Sequence, residues 1–311
     1  MPKKLPKEVK LVLEHTPHTI NYAREKNVSA SQFMMYNECQ HKWKLSKIDK
    51  LSKYTPSVHT VFGTAMHETI QEWLSILYND SAKKADSTDL RSLLKETMRE
   101  VYATERKKAS EVFTTADDLN SFFLDGVEIL KFLQRNRRAY FSTKNTFLAG
   151  IETDLVQQLK PGVYFKGFVD LVLYNKFTEK YTVIDIKTST RGWGDYEKKS
   201  EGKIAQILFY KEFFAKQFNV DVESIDVEFF ILRRKINEDL EFVPKRVQQW
   251  SPASGRIKRG KAMKALDEFV ANAFTNEGKY NTKGNYPPNP SKSACRFCDF
   301  KNTEYCTVSA D

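Results

Sequence analysis

The sequence predicts an α/β fold: a central mixed β-sheet flanked by helices, with a helical lobe and a small cysteine-bearing C-terminal module. Three observations carry that reading. Helical periodicity dominates up to residue 145, strand-like runs dominate from residue 150, and three of the four cysteines gather after residue 294. The 311 residues are 41% hydrophobic and 29% charged, enough to bury a sizeable core beneath a solvated surface. Those proportions exclude a disordered tail, a collagen-like fibre and a small disulfide knot. No run approaches the ~18 apolar residues of a membrane span. The opening MPKKLPKEVKLVLEH lacks the apolar stretch of a secretory signal and fits a transit peptide poorly. A cytoplasmic protein is expected.

In chain order, residues 1–28 are mixed, and Pro2, Pro6 and Pro17 break any long element. A helix capped by Ser29 or Ser31 runs through FMMYNECQHKWKL. Phe62-Gly63-Thr64 opens a second, AMHETIQEWLSIL, whose Met66, Ile70, Trp73, Leu74 and Leu77 recur at helical spacing as a buried stripe. Residues 80–145 read as a charged helical lobe or insertion. The period then changes to strands in GIETDLVQQL, VYFKGFVDLVLY, KYTVIDIKTS and DVEFFILRR, with turns at Pro161-Gly162 and Asn175-Lys176. The helix KIAQILFYKEFFAKQF separates the third run from the fourth. A strand, EFVPKRVQQW, and a helix, KAMKALDEFVANAF, follow. The stretch from Thr282 onward, rich in Pro, Asn and Lys, reads as irregular.

Chemistry concentrates in KGFVDLVL (166–173) and VIDIKTS (183–189). A hairpin turn centred near Phe177-Thr178 sets Asp170 and Asp185 at nearly equal distances from it, as cross-strand neighbours. Asp185 and Lys187, two apart, share one strand face, while Ile184 and Ile186 point to the other. Two adjacent acids on an apolar sheet repel each other and lose solvation. A hard divalent cation such as Mg²⁺ or Mn²⁺ resolves that conflict, with Lys187 orienting water or steadying phosphate charge. On spacing alone, an ion pair of Lys187 with one aspartate on an exposed face fits equally well.

The net charge of +10, from 50 Lys and Arg against 40 Asp and Glu, draws polyanions, nucleic acid first. A Lys-rich surface that only keeps the protein soluble fits the same number. Residues 255–261 match G-x-x-x-x-G-K, but Ala262 stands where a phosphate loop needs Ser or Thr, and nucleotide hydrolysis is rejected. With Lys245, Arg246, Lys261 and Lys264 that segment is either a basic cluster tracking a DNA backbone or a solvated helix start.

Asp170 followed by Asp185-Ile186-Lys187 on the next strand resembles the PD-(D/E)XK nuclease superfamily, with Val169 where that motif has Pro. The resemblance is closer to its RecB-like branch. Gly63 to His67 reads G-x-x-x-H, Gly167 to Asp170 reads G-x-x-D, and Gln206 to Tyr210 reads Q-x-x-x-Y, in family order. It implies a restriction-endonuclease-like core in one domain over 1–311. His67, Asp170, Asp185 and the Ile186 carbonyl would hold Mg²⁺ or Mn²⁺, and Lys187 would serve the attacking water. Gln206 and Tyr210 would border the site and contact substrate or hold Lys187. Glu152 is a candidate auxiliary acid, although a solvated strand position is the favoured reading.

The resemblance further implies DNA as substrate, single-stranded or with free ends, cut as an exonuclease. A flap endonuclease and a non-catalytic DNA-binding subunit are the alternatives. No motor motif is visible, so unwinding requires a helicase or other recombination protein as partner. Repair, recombination, CRISPR adaptation and phage DNA metabolism all fit, in a bacterial, archaeal or phage-infected cell.

Cys295, Cys298 and Cys306 form C-x2-C-x7-C, a spacing that in a cytosolic protein favours metal over disulfides. Three thiolates need a fourth partner, and Cys39 is the remaining cysteine. Nucleases of the AddB and CRISPR-adaptation type hold a [4Fe–4S] cluster with one early cysteine and a C-terminal triplet. By that resemblance, all four are cluster ligands joining the 285–311 module to Cys39. Structural Zn²⁺ on the same thiolates, and free or disulfide-bonded thiols, are the alternatives.

Overall fold

Side-chain caps set where the helices of this computed structural model begin. It describes residues 4–308 and 310; Pro2 and positions 309 and 311 of the terminal module lie outside the described residues. Ser29 accepts the amide of Gln32 and starts α2 (Ala30–Glu38). A reciprocal Ser57–Thr60 box starts α4 (Val58–Asn79), so Gly63 lies inside that helix rather than opening it. Asp89 and Thr115 cap α6 (Leu90–Ala109) and α7 (Ala116–Arg135). Short α5 (Ala82–Ser87) and α8 (Arg137–Tyr140) complete the helical stretch expected over 80–145.

The structure corrects several boundaries. Pro6 precedes a short helix, α1 (Lys7–Leu13), because a helix needs no amide hydrogen there. Lys26–Val28 forms a strand, β1, that the mixed N-terminal composition hides. The expected helix after Ser29 is two: Cys39, extended at φ −159° and ψ 112°, ends α2 and starts α3 (Gln40–Lys47). That break turns the chain and frees Cys39 from a helix face. Of EFVPKRVQQW only β6 (Val247–Trp250) is strand. The last long helix, α11 (Arg256–Ala273), is capped by Gly255 and starts at Arg256, five residues before the expected Lys261. The G-x-x-x-x-G-K match is therefore its N-cap and first turns. Arg259 in it is buried and bonded to Glu212 at 2.6 Å and Glu223 at 2.8 Å, which removes it from the basic cluster.

The other strands are β2 (Thr146–Lys160), β3 (Val163–Asn175), β4 (Lys180–Ser189) and β5 (Ile225–Arg233); α9 (Asp195–Lys198) and α10 (Glu201–Phe218) join β4 to β5. The sheet is mixed: β3 is antiparallel to β2 and β4, β4 is parallel to β5, and β6 is antiparallel to β5. The β3–β4 hairpin pairs Asn175 with Lys180, so its turn is centred at 177–178 as expected. One edge of β3 is shared. β1 pairs with it in parallel at Val163–Phe165, β4 pairs at Leu171–Asn175, and the edge between is left open. The sheet therefore forks at residues 166–170.

Two cores cover the two faces. One gathers Val9, Phe33, Trp43, Phe209, Phe213 and Phe269, from α1, α2, α3, α10 and α11, against Phe165, Val169 and Val183. Trp43 anchors its outer end, ringed by Tyr36, Phe269, Phe274, Tyr280 and Tyr286 at centroid distances of 5.3–6.3 Å. The other gathers the expected α4 stripe with Leu94, Leu130 and Leu133 of α6 and α7 against Leu171, Ile184 and Ile186. The helices of 80–145 thus supply one layer of an α/β/α arrangement. Among the described residues no helix is long and apolar enough to cross a membrane.

Gly126 lets α7 close on its neighbours: a Cβ there would sit 2.7 Å from Leu94 and 3.1 Å from Met66 and Phe62. Gly260, mid-α11, has nothing within 4 Å of its Cβ position. Gly126→Val should destabilise by about 1–3 kcal/mol through overpacking. Gly260→Ala should stabilise by about 0.5–1 kcal/mol through helix propensity. Thermal and denaturant unfolding of the two variants checks both signs.

Candidate active site

The fork builds the site. Continuing the β3–β4 register one step beyond Leu171–Ile184 sets Asp170 opposite Asp185, the pairing that equal hairpin arms require. The backbones part there, and the Asp170 carboxylate takes over the bonding. Its Oδ2 accepts the Ile186 amide hydrogen at 2.6 Å. On its other side β3 still pairs with β2, where Thr153 faces Val169 and Ile151 faces Leu171. Between them Glu152 is left-handed, φ 46°, which L-residues adopt at a cost. The strand alternation inverts across this kink: Leu155 and Val169 belong to the α10 core, Ile151 and Leu171 to the α4 core.

Helix α4 then delivers two side chains. His67 Nδ1 lies 3.6 Å from Asp170 Oδ2. Gln71, one turn on, donates both amide hydrogens, to Glu152 Oε1 at 2.6 Å and to the Asp170 carbonyl at 3.0 Å. His67, Glu152 and Asp170 offer ligand atoms all within 4.8 Å of one another. Glu152 is solvent-exposed, as the strand reading expected, but it also reaches this group. The alternative reading of Glu152 as an auxiliary acid fits that position, and the left-handed turn at its own backbone aims it.

On the opposite face, Asp185 Oδ2 sits 2.7 Å from Lys187 Nζ, and Asp185 Oδ1 accepts from Gln206 Nε2 at 3.0 Å. Gln206 also donates to the Tyr210 hydroxyl at 3.1 Å. Tyr210 in turn packs over Gly167, where any Cβ would come within 2.8 Å of its ring. The glycine of G-x-x-D thus makes room for the tyrosine of Q-x-x-x-Y. Gln206 and Tyr210 hold Asp185, and Lys187 is held by Asp185 itself.

Burial drives the electrostatics. Asp185, 1% exposed, has its carboxyl pushed up to about 6 by desolvation, with the Asp170 charge adding and Lys187 opposing. Desolvation works against the Lys187 ammonium, but the Asp185 charge outweighs it and raises its pKa. His67 is likewise raised, burial being overcome by the Asp170 carboxylate 3.6 Å away. Burial raises the Tyr210 phenol, which stays protonated.

The sequence profile of the PD-(D/E)XK nuclease superfamily matches residues 27–305. The chain belongs to the PD-(D/E)XK nuclease superfamily. No curated protein matches it. PD-(D/E)XK nucleases are metal-dependent nucleases, and the residues here fit a divalent cation. Asp185 Oδ2 is shielded from solvent and, despite the nearby ammonium, takes no well-angled hydrogen bond. A buried oxygen with a spare lone pair, beside a second carboxylate, is what a hard cation satisfies. The mixed sheet between two helical layers is the α/β PD-(D/E)XK fold.

The cysteines occupy a separate place in this PD-(D/E)XK chain. All four are free thiols lining one pocket with His41, Leu45, Pro288 and Phe300. The amide of Asn289 donates to Cys39 Sγ at 3.4 Å and that of Ala310 to Cys295 Sγ at 3.3 Å. His41 Nε2 lies 2.9 Å from the Tyr305 carbonyl, and Asn289 Nδ2 donates to the Glu38 carbonyl at 3.1 Å, tying α2 and α3 to the C-terminal stretch. That stretch holds a short helix, α12 (Lys292–Cys295), and a Thr303–Cys306 bridge within otherwise irregular chain.

A carboxyl raised from 3.8 to about 6 makes the cation-free fold lose stability as pH climbs through that window. A cation returns it only where the carboxylate is ionised. The rise in Tm on adding Mn²⁺ should therefore be several degrees at pH 8 and small at pH 5. Differential scanning fluorimetry across pH reads this directly, and Asp170→Asn should flatten it.

Proposed function

We propose that the chain is a RecB-like DNA nuclease that hydrolyses phosphodiester bonds in single-stranded or end-bearing DNA, acting as an exonuclease. One observation carries the reading: Asp170, Asp185, Lys187 and His67, from three separate elements, converge at the sheet fork. His67, Asp170, Asp185 and the Ile186 carbonyl hold Mg²⁺ or Mn²⁺, and Glu152 joins them as a further acid held by Gln71. The bound cation supplies Lewis acidity and positive charge at the scissile phosphate. Lys187, its ammonium fixed by Asp185, orients the attacking water and faces the charge that builds on phosphate. Gln206 and Tyr210 keep Asp185 in place. DNA reaches the fork along its open edge, and a helicase or other recombination protein supplies unwinding.

The cysteine pocket supports a [4Fe–4S] cluster that joins Cys39 to the 285–311 module in a single nuclease domain. The two N–H···S bonds, to Cys39 and Cys295, suit the sulfur ligands of such a cluster.

Two experiments test these readings. Labelled single-stranded DNA, 5′ or 3′, should be degraded from an end with Mn²⁺ or Mg²⁺, while a circular single strand survives. Lys187→Ala and Asp170→Asn should each cut the rate by on the order of 10²-fold or more. Full activity in either variant removes the site assignment, and DNA binding without cleavage by the wild type leaves a binding subunit. Protein purified without oxygen should carry iron and sulfide in equal amounts and absorb visible light, with both reduced in Cys298→Ser. Zinc in their place would overturn the cluster.

A further inference from the structure

Helix α10 brings a second lysine to the site's edge. Lys203 lies in its first turn, three residues before Gln206, and residues at that spacing share a helix face. Since Gln206 reaches Asp185, Lys203 stands on the side of the helix that looks toward the fork. Its ammonium sits 4.6 Å from the ring centroid of Trp193.

Trp193 is a rigid platform. Its amide donates to Gln248 Oε1 at 2.8 Å, and its carbonyl accepts from Gln248 Nε2 at 3.0 Å. Its ring packs on Phe229 at 4.8 Å and Trp250 at 5.8 Å. The loop before it is closed by Ser189 Oγ, which accepts the Gly192 amide and donates to the Gly192 carbonyl. An ammonium laid on such a surface is aimed before any ligand arrives.

Unlike Lys187, Lys203 has no ion-pair partner among the described residues. The acid that acts on it, Glu197, is engaged with the Gly194 amide at 3.0 Å. Burial depresses its pKa, with Glu197 opposing and the positive charge of Lys187 nearby adding to the drop. A half-buried cation held against an aromatic face, next to a second cation whose charge Asp185 already matches, is a receptor for one more anion.

We propose that Lys203 is a substrate-binding residue that grips a backbone phosphate of the nucleic acid adjacent to the bond being cut. Trp193 serves as its positioning residue. This rests on the nuclease reading above, which supplies the strand; the anion is a phosphodiester with one charge per linkage, matched to one ammonium.

The test is fluorescence anisotropy of a labelled single-stranded oligonucleotide with the full chain, in Ca²⁺ and from 50 to 200 mM salt. Lys203→Gln should bind about tenfold more weakly, with a slope of log affinity against log salt shallower by about 0.7. Lys203→Arg should keep both. A single uncharged methylphosphonate linkage, walked along the strand, should at one position cost the wild type the same factor and cost Lys203→Gln nothing more. In cleavage, Lys203→Gln should raise KM more than it lowers kcat, and its Mn²⁺-induced rise in Tm should match the wild type. Wild-type affinity and salt slope in Lys203→Gln would overturn the proposal and leave Lys203 as packing for Trp193. So would loss of its Mn²⁺ response, which would mark a structural role. A wild-type protein that neither binds nor cuts DNA would instead overturn the nuclease reading, and this assignment with it.

Discussion

The hydrogen bond from the Ile186 amide to the Asp170 carboxylate is the interaction on which the site depends. Where β3 and β4 part, a backbone donor loses its strand partner, and a buried amide without an acceptor costs as much as a lost bond. Asp170 satisfies it with a side chain, and so becomes fixed within the sheet rather than above it. One oxygen then serves the fold and also faces His67. The same parting leaves the edge of β3 open over residues 166–170, between its pairing with β1 and with β4.

Around that fork the two helical layers work from opposite faces. α4 brings His67 and, through Gln71, steadies Glu152 and the Asp170 carbonyl. α10 brings Gln206 and Tyr210 to Asp185. Each layer is packed by its own core, so the two halves of the site are positioned independently and meet across the sheet. This places strong demands on sheet geometry, and the left-handed backbone at Glu152 is part of how they are met. Its φ of 46° reorients the alternation of both strands at the level of the carboxylates.

Some of this was legible before the structure. The equal arms of the β3–β4 hairpin are enough to oppose Asp170 and Asp185, and period two is enough to put Lys187 beside Asp185, because both rest on local geometry. The fork was not legible, since it depends on β1, three residues with no readable period. Glu152 was raised both as an auxiliary acid and, favoured, as a solvated strand residue, and it is exposed and beside His67 and Asp170; only the backbone switch that aims it leaves no compositional trace. Cys39 was placed within one helix, because nothing about cysteine announces an extended break. Glu241–Arg246 looked like strand from its apolar residues, while the chain around Pro244 gave β6 only its last four positions. The helix-start alternative for residues 255–261 holds, although the expected helix began only at Lys261: Gly255 caps α11 and Gly260 lies inside it.

The contact between Gly167 and Tyr210 has an evolutionary consequence. They lie on different elements and in what read as separate motifs, yet a methyl group at 167 would meet the Tyr210 ring at 2.8 Å. Tyr210 in turn receives the Gln206 amide that also holds Asp185. A lineage could therefore lose that glycine only by shrinking the aromatic in the same step or soon after, with the Phe165 ring that the same methyl would meet at 2.9 Å also giving way, and would then have to find Gln206 another support. Positions 167 and 210 should drift together or stay still together, so that G-x-x-D and Q-x-x-x-Y form one inherited unit.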